Sequence, residues 1–118
     1  MLLGKTYYFR FLITYNAALT TTGSRFSISG PATPTSLCYS SEYSLTTTTA
    51  TINQTVVAYD SPAASNATST QLVGNVAKIE GFITPSADGT VIARFASEVA
   101  ASAITAKAGS FVLFQQLT

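Results

Sequence analysis

The sequence contains no histidine and a single cysteine, Cys38. Without histidine the chain cannot form a Ser-His-Asp triad or use an imidazole as general base, and most zinc sites lose a ligand. One cysteine excludes an internal disulfide. The apolar character of residues 36–39 predicts that Cys38 is a buried thiol acting as a small hydrophobic side chain.

Charge is also scarce. Only 9% of the 118 residues are charged, against about a quarter in an ordinary soluble domain. The net charge of +1 gives no electrostatic attraction to nucleic acid or to an anionic membrane, so neither partner is predicted. A surface of Thr, Ser, Asn, Gln and Ala leaves little charge to desolvate at a contact, which favours packing against neighbouring subunits.

Long apolar runs are missing as well. No stretch reaches the roughly eighteen apolar residues of a membrane-spanning helix. Residues 1–5 lack the basic and hydrophobic regions of a secretory signal, and Arg10 interrupts the next apolar run. We therefore expect the protein to stay where it is made, or to leave the cell by lysis within a larger particle.

The carboxylates offer no clear chemistry. They are Glu42, Asp60, Glu80, Asp88 and Glu98. A glycosidase needs two carboxyl groups facing across a cleft, and Glu80 and Asp88 are close enough in sequence to be considered. The simpler interpretation is that Asp88 forms an Asp-Gly turn and Glu80 is an outward strand residue. No Asp-x-Asp-x-Asp calcium loop occurs. We predict no catalytic residue, no metal ligand, no cofactor and no enzymatic activity.

The sequence is rich in short apolar segments with a period of two, which is the pattern of β-strands. In residues 6–15 the two alternating sets are Tyr7, Phe9, Phe11 and Ile13 on one face and Tyr8, Arg10, Leu12 and Thr14 on the other. Because the second face is also fairly apolar, we predict that the core covers one side of this strand and a neighbouring subunit the other.

Further strands are predicted along the whole chain. They cover residues 24–29, 36–43, 56–59, 71–84, 90–97, 102–107 and 110–117, with residues 46–51 as an edge strand or an extended loop. Their inward residues are predicted to include Phe26, Ile28, Val73, Ala77, Ile79, Ile83, Val91, Ala93 and Phe95. Turns at 85–89 and 108–109 predict two tandem hairpins in the last third, and residues 60–70 form the clearest loop.

A helix competes only over residues 94–108, where the alanine content allows one or two turns around 97–102. Seven or eight short antiparallel strands in a single domain, residues 1–118, predict an all-β, jelly-roll-like β-sandwich.

Several short motifs carry a family resemblance. They lie at residues 6–11 (Thr-Tyr-Tyr-Phe-Arg-Phe), 22–23, 29–32, 79–81, 88–90, 95–98 and 108–110. In this order they resemble the C-terminal all-β domain of structural proteins of tailed bacteriophages, found in fibres, spikes and other virion surface proteins. The resemblance implies a virion location and a homotrimer, and no catalytic residues. Family members usually carry a longer N-terminal region. A copy of this length fits a capsid decoration (cement) protein or a small fibre component better than a whole fibre.

We therefore predict a virion structural protein whose partners are its own copies and the major capsid protein or other virion subunits. The predicted subunit-interface residues are Tyr8, Arg10, Leu12, Arg94, Glu98, Val112 and Phe114. Glu98 is expected beside Arg94, as a local ion pair or a contact to a neighbouring copy.

Two alternatives stay open. In the first, the chain is a host-receptor or glycan-binding tip that uses loop tyrosines as contacts. The tyrosines in question are Tyr15, Tyr39, Tyr43 and Tyr59. In the second, the chain is an adhesin-like subunit that completes its fold with a strand from a partner.

Overall fold

A computed structural model describes residues 1–61 and 74–118, and these residues form eight β-strands and no helix. The strands are β1 (Tyr7–Ala17), β2 (Ser24–Ser29), β3 (Ser36–Ser44), β4 (Ala50–Val56), β5 (Asn75–Thr84), β6 (Ile92–Ser97), β7 (Ile104–Ala106) and β8 (Phe111–Gln116). The predicted all-β antiparallel sandwich is confirmed. Within the described ranges no helical segment is long and apolar enough to cross a membrane.

The two layers of the sandwich differ in size. The large sheet has six strands in the order β4-β3-β5-β1, with β7 and β8 both on the remaining edge of β1, and the small sheet consists of β2 and β6. Every pairing is antiparallel. The eleven-residue β1 is the longest strand, and it is the element to which both β5 and the C-terminal strands are hydrogen-bonded.

The two hairpins predicted for the last third do not form. β5 lies between β3 and β1 in the large sheet, whereas β6 pairs with β2 in the small one. The connection 85–91 is too long for a tight hairpin turn and carries the chain between layers. The N-terminal residue holds this connection, because the Met1 amino group donates to the Gly89 carbonyl at 2.6 Å and the Gly89 N–H donates to the Met1 carbonyl at 3.0 Å.

The second predicted hairpin is instead one interrupted strand. β7 lies opposite the end of β1 at Tyr15–Ala17, and β8 lies opposite its beginning at Tyr7–Leu12. The turn after β7 moves the chain along the same edge of β1, from the position of β7 to that of β8. Residues 94–108 contain no helix: β6 and β7 occupy both sides of the stretch, and the residues between them form bends and a turn.

Other strand limits also differ from the predictions. The edge strand β4 begins at Ala50 and ends at Val56, so the strand predicted at 56–59 is wrong. The preceding threonines form a turn in which the Thr46 hydroxyl accepts from the N–H groups of Thr48 and Thr49, at 3.2 and 3.0 Å. Most of the predicted loop 60–70, and the beginning of the predicted strand 71–84 with Val73, lie outside the described residues.

The core lies between the layers and is built from alternate residues. β1 contributes Tyr7, Phe9, Phe11 and Ile13, all buried as predicted, and also Tyr15, which had been considered as a loop contact. The predicted inward residues Phe26, Ile28, Ala77, Ile79 and Ile83 are buried too. Val91 and Ala93 are half-buried against this core, whereas Phe95 is 41% exposed.

One glycine makes the centre of the large sheet possible. Gly81 lies directly opposite Phe9 on one side and Tyr39 on the other. The rings of Phe9 and Tyr39 pack across it with centroids 6.4 Å apart. A Cβ at Gly81 would collide with the Cys38 carbonyl oxygen and with Tyr39. These two rings fill the space that a side chain at Gly81 would otherwise occupy.

Candidate subunit interface

The last strand, β8, is exposed along its whole length. Its apolar residues Phe111, Val112, Leu113 and Phe114 are 49, 44, 54 and 64% exposed, and Gln115 and Gln116 are exposed as well. These four apolar side chains alternate between the two faces of the sheet. Both faces of β8 are therefore open, and its outer edge has no strand partner among the described residues.

The pairing with β1 fixes which face each residue occupies. Phe114 lies opposite Phe9 and Val112 opposite Phe11, so both share the core-facing side of the large sheet. Phe111 and Leu113 lie opposite Leu12 and Arg10 on the outer side. Val112 and Phe114 are thus on the core side but uncovered, because the two-stranded small sheet does not extend over them.

The same pairing fixes the backbone directions. The Leu117 N–H donates to the Thr6 carbonyl at 2.8 Å, which extends the ladder between β8 and β1. Because hydrogen-bonded pairs alternate along antiparallel strands, the odd-numbered residues of β8 direct their N–H and C=O groups toward β1. Val112, Phe114 and Gln116 therefore direct theirs toward the free edge.

An apolar groove of about 290 Å³ lies between β8 and the small sheet. Its lining includes Phe11 and Ile13 of β1, Ala93 and Phe95 of β6, and Val112 of β8. No charged residue lines it. The groove marks the open side of the sandwich, where the large sheet continues beyond the small one.

The outer face of the large sheet carries the other predicted interface residues. Tyr8, Arg10 and Leu12 are half-buried there. Phe82 and Val76, two exposed residues of β5, lie opposite Tyr8 and Thr14 on the same face, at 53 and 51% exposure. This face is a second apolar surface, continuous with Phe111 and Leu113 of β8.

Charges on this face are local and of both signs. Arg10 and Glu80 are direct cross-strand partners, as are Lys78 and Leu12 on the next row. The Tyr8 hydroxyl donates to Glu80 Oε1 at 2.6 Å. This hydrogen bond to a carboxylate, with a smaller contribution from desolvation, raises the pKa of Tyr8 above its ordinary value. The phenol therefore keeps its proton and stays a donor to Glu80.

Arg94 and Glu98 do not join these residues. Arg94 pairs with Asp60, with Nη1 2.8 Å from Oδ1, and the Arg94–Glu98 pair predicted from the sequence is not formed. The predicted pair fails because Arg94 lies in an extended strand, where four residues span roughly 13 Å, too far for an ion pair with Glu98. Of the seven predicted interface residues, the structure thus brings Tyr8, Arg10 and Leu12 together, with Val112 and Phe114 on the neighbouring strand.

Cys38 is exposed rather than buried, which contradicts the sequence prediction. It lies opposite Phe82 on the outer face. In β3 the buried set is Leu37, Tyr39, Ser41 and Tyr43. The apolar neighbours of Cys38 suggested burial, but the alternation of the strand assigns it to the other face.

The loop tyrosines considered as glycan contacts belong mainly to the core. Tyr15, Tyr39 and Tyr43 are at most 2% exposed, and Tyr59 packs against the same cluster. The Tyr39 hydroxyl donates to the carbonyls of Ser61 and, at 3.3 Å, Ala58. Burial raises the pKa of Tyr39 to about 12. The rings of Tyr15, Tyr39 and Tyr43 are therefore not available to stack on a sugar, whereas Tyr59 is half-buried.

The carboxylates do not face one another. Glu80 lies on the outer face beside Tyr8, whereas Asp88 Oδ1 accepts from the Leu3 N–H at 2.6 Å on the connection between the layers. In residues 1–61 and 74–118, no group of three or more Cys, Asp or Glu residues could hold a metal ion.

Sequence reasoning missed four residues of this surface: Phe111, Leu113, Phe82 and Val76. Phe111 and Leu113 lie on the face opposite Val112 and Phe114, and both faces are exposed. No sequence signal distinguishes a terminal strand at a sheet edge from one in the middle, because this depends on the pairing.

Comparisons of the chain with protein-family models, with curated proteins and with solved structures gave no significant match. The described residues define an all-β sandwich with an uncovered apolar edge strand, an apolar groove beside it and a second apolar surface on the large sheet.

Proposed function

We propose that this protein is a non-enzymatic structural subunit that assembles with copies of itself, and that it works on the surface of a tailed-phage virion. The observation that carries this proposal is β8, whose Phe-Val-Leu-Phe segment is exposed on both faces and along its edge. Edge strands of soluble monomers are usually protected by Lys, Pro, a bulge or a covering loop. β8 contains no charge and no proline.

The exposed area is of the size that an interface needs. Taking about 200 Å² for a whole Phe residue and somewhat less for Val and Leu, residues 111–114 and Leu117 expose roughly 500 Å² per copy. A specific protein–protein interface buries about 800 Å² per partner. The backbone edge of β8 and the neighbouring groove supply the remainder. Covering this surface by another copy removes from water the largest apolar stretch of the described chain.

The virion location is supported by the resemblance to phage structural proteins and by the low charge. A surface with 9% charged residues desolvates few ions when subunits pack side by side. Symmetric subunits use one patch repeatedly, and several weak contacts to a shell add up through multivalency. In this role the protein would be a capsid decoration protein or a small fibre component, contacting the major capsid protein or other virion subunits. A trimer is the oligomer that the resemblance implies.

The native mass of the purified chain, from size-exclusion chromatography with light scattering over a range of concentrations, tests self-assembly. We expect an oligomer that Phe114→Lys dissociates, because a lysine on an apolar interface must be desolvated. Ile52→Lys is the matched control, since Ile52 is 55% exposed on the opposite edge strand. A wild-type monomer at every concentration would contradict self-assembly.

The virion location needs a separate measurement. Phage particles can be produced from the genome that encodes this chain and purified from the cell lysate by density gradient. These particles should contain the protein at a fixed ratio to the major capsid protein. Protein that remains entirely in the soluble fraction of the lysate would contradict the virion role, whatever its native mass.

The alternative of a receptor-binding or glycan-binding tip is weakened, because three of its four tyrosines, Tyr15, Tyr39 and Tyr43, are buried in the core. A groove of about 460 Å³ does lie beside the Thr46–Thr49 turn, with Glu42 and Lys78 in its lining. Its one aromatic residue, Tyr43, is 1% exposed and cannot present a ring face to a sugar. A glycan array probed with the purified chain should therefore show no binding, and reproducible binding would favour this alternative.

A further inference from the structure

We infer that β8 is a pairing strand: it forms an antiparallel ladder with β8 of a second copy around a two-fold axis, with Leu113 opposite its own equivalent. The two six-stranded sheets then become one continuous sheet. This inference depends on the proposed self-assembly, but it specifies a two-fold pair in place of the trimer that the resemblance implies, together with the strand and its register.

The backbone of β8 is prepared for such a ladder. Val112, Phe114 and Gln116 direct their N–H and C=O groups away from β1, as the Leu117–Thr6 hydrogen bond requires. If a partner without hydrogen-bonding groups covered this edge, these N–H and C=O groups would be buried without hydrogen bonds, which is unfavourable. An antiparallel strand provides the matching groups at the right spacing.

The second copy of β8 is a suitable occupant because the strand is complementary to itself. β8 has no charge, so two copies approach without repulsion between like charges. Pairing of the two edges covers part of the roughly 500 Å² of apolar surface that each copy exposes here. A two-fold contact also uses the same patch on both copies, which makes it the commonest symmetric arrangement.

Geometry limits the register to a few choices. Only even-numbered residues can form hydrogen-bonded pairs, so an even residue of one copy must face an even residue of the other. Placing Leu113 on the axis pairs Val112 with Phe114 of the second copy, and Phe114 with its Val112. This register puts apolar side chains opposite one another in the three central pairs. A shift of two residues toward the C-terminus places Leu113 opposite Gln115. A shift of two residues toward the N-terminus, with Val112 opposite its own equivalent, also keeps three apolar pairs, so a disulfide at residue 113 distinguishes the two registers.

The groove explains why pairing at this edge would also cover core-facing residues. Val112 lines it together with Phe95 of β6. In the paired form, Val112 lies beside Phe114 of the second copy on the core-facing side. The open side of each sandwich then closes against the other copy instead of against water.

Amide hydrogen exchange followed by NMR tests the ladder directly. In a monomer, the N–H groups of Val112, Phe114 and Gln116 face water, while those of Leu113 and Gln115 are bonded to β1. We expect the even-numbered amides to exchange about tenfold or more slowly in the oligomer than in a Phe114→Lys monomer. The odd-numbered amides serve as the internal control, with smaller changes.

A cysteine at the axis tests the register. Directly opposed residues of a non-hydrogen-bonded pair have Cα atoms about 4.5 Å apart, within the range for a disulfide. In a Cys38→Ser background, Leu113→Cys should form an intermolecular disulfide in most of the chain under mild oxidation. Ile52→Cys is the matched control, because Ile52 is 55% and Leu113 54% exposed, both on edge strands.

The outcomes separate this inference from the proposed function. A dimer with protected even-numbered amides and the Leu113 disulfide supports both. An oligomer of any order whose even-numbered amides exchange freely, or a trimer without the Leu113 disulfide, overturns the pairing and leaves self-assembly standing. A chain that stays monomeric at every concentration overturns both.

Discussion

Phe26 and Phe95 provide a matched test of how the small sheet is held on the large one. The two residues are direct cross-strand partners in the small sheet, and their rings stack with centroids 5.8 Å apart. Phe26 is 0% exposed and also contacts Tyr15 at 4.8 Å and Tyr43 at 5.3 Å, on the large sheet. Phe95 is 41% exposed. The same substitution at the two sites therefore differs mainly in burial.

Phe26→Ala should lower the free energy of unfolding by about 3–5 kcal/mol, since it removes a fully buried ring and leaves a cavity between the sheets. Phe95→Ala removes a ring that is already two-fifths in water and leaves no closed cavity. Of the roughly 100 Å² of apolar area that Phe95 has beyond alanine, about 60 Å² is buried, since the residue is 41% exposed. At about 25 cal/mol per Å² we therefore expect a loss of about 1.5 kcal/mol. The midpoint temperatures should fall by about 4 °C per kcal/mol for a chain of this size.

Urea unfolding followed by far-UV circular dichroism measures both variants, since the chain has no tryptophan for fluorescence. The measurement belongs at a concentration where the protein is monomeric, because Phe95 lies in the groove beside β8. Equal losses for the two variants, or a loss below about 1 kcal/mol for Phe26→Ala, would show that Phe26 does not join the layers and would refute the packing argument.

Three other substitutions test separate features. Gly81→Ala should cost about 3 kcal/mol by thermal unfolding, because its Cβ meets the Cys38 carbonyl and Tyr39, and a loss below 1 kcal/mol would contradict this. Burial raises the pKa of Tyr39 to about 12, so the folded state retains a proton that the unfolded chain loses near pH 10. Stability should therefore be full below pH 10 and fall as the pH rises toward 12, and a Tyr39→Phe variant that fell just as steeply would contradict this. Asp60→Asn breaks the pair with Arg94, but both side chains are more than half exposed. Its free energy of unfolding should change by less than about 1 kcal/mol, and a larger change would show that the pair is not a solvated surface contact.

The fold class followed from the sequence because it depends on local periodicity. The alternation in β1 and the pair Phe26 and Ile28 in β2 identify a strand and its buried face without knowledge of its partners. The topology did not follow. Residues 79–97 looked like a hairpin because two strands flank a Pro-Gly turn, yet β6 pairs with β2, which is more than sixty residues earlier in the chain. Pairing is decided by long-range packing, which periodicity does not encode.

The candidate site was predicted only in part, because local periodicity identifies the faces of a strand but not its long-range contacts. The apolar outer face of β1 indicated a second cover, and Tyr8, Arg10 and Leu12 do share that face. The Arg94–Glu98 pair was inferred from sequence proximity and failed, because Asp60 arrives beside Arg94 from a different part of the chain. The exposure of β8 was not foreseen, since its apolar residues are those of a buried strand.

The mismatch between the two layers gives a physical reason for assembly. With strands about 4.8 Å apart, a sheet five strands wide spans about 24 Å, whereas two strands span about 10 Å. Loops and the N-terminal segment cover part of the difference, as the hydrogen bonds of Met1 and Leu3 to the 85–91 connection indicate. No described segment covers β8, where Phe114 remains 64% exposed beside the buried Phe9 and Tyr7. Charged residues on β8 would disrupt its core-facing side, so few of them could be placed there. The proposed burial by another subunit would satisfy both the side chains and the backbone of this strand.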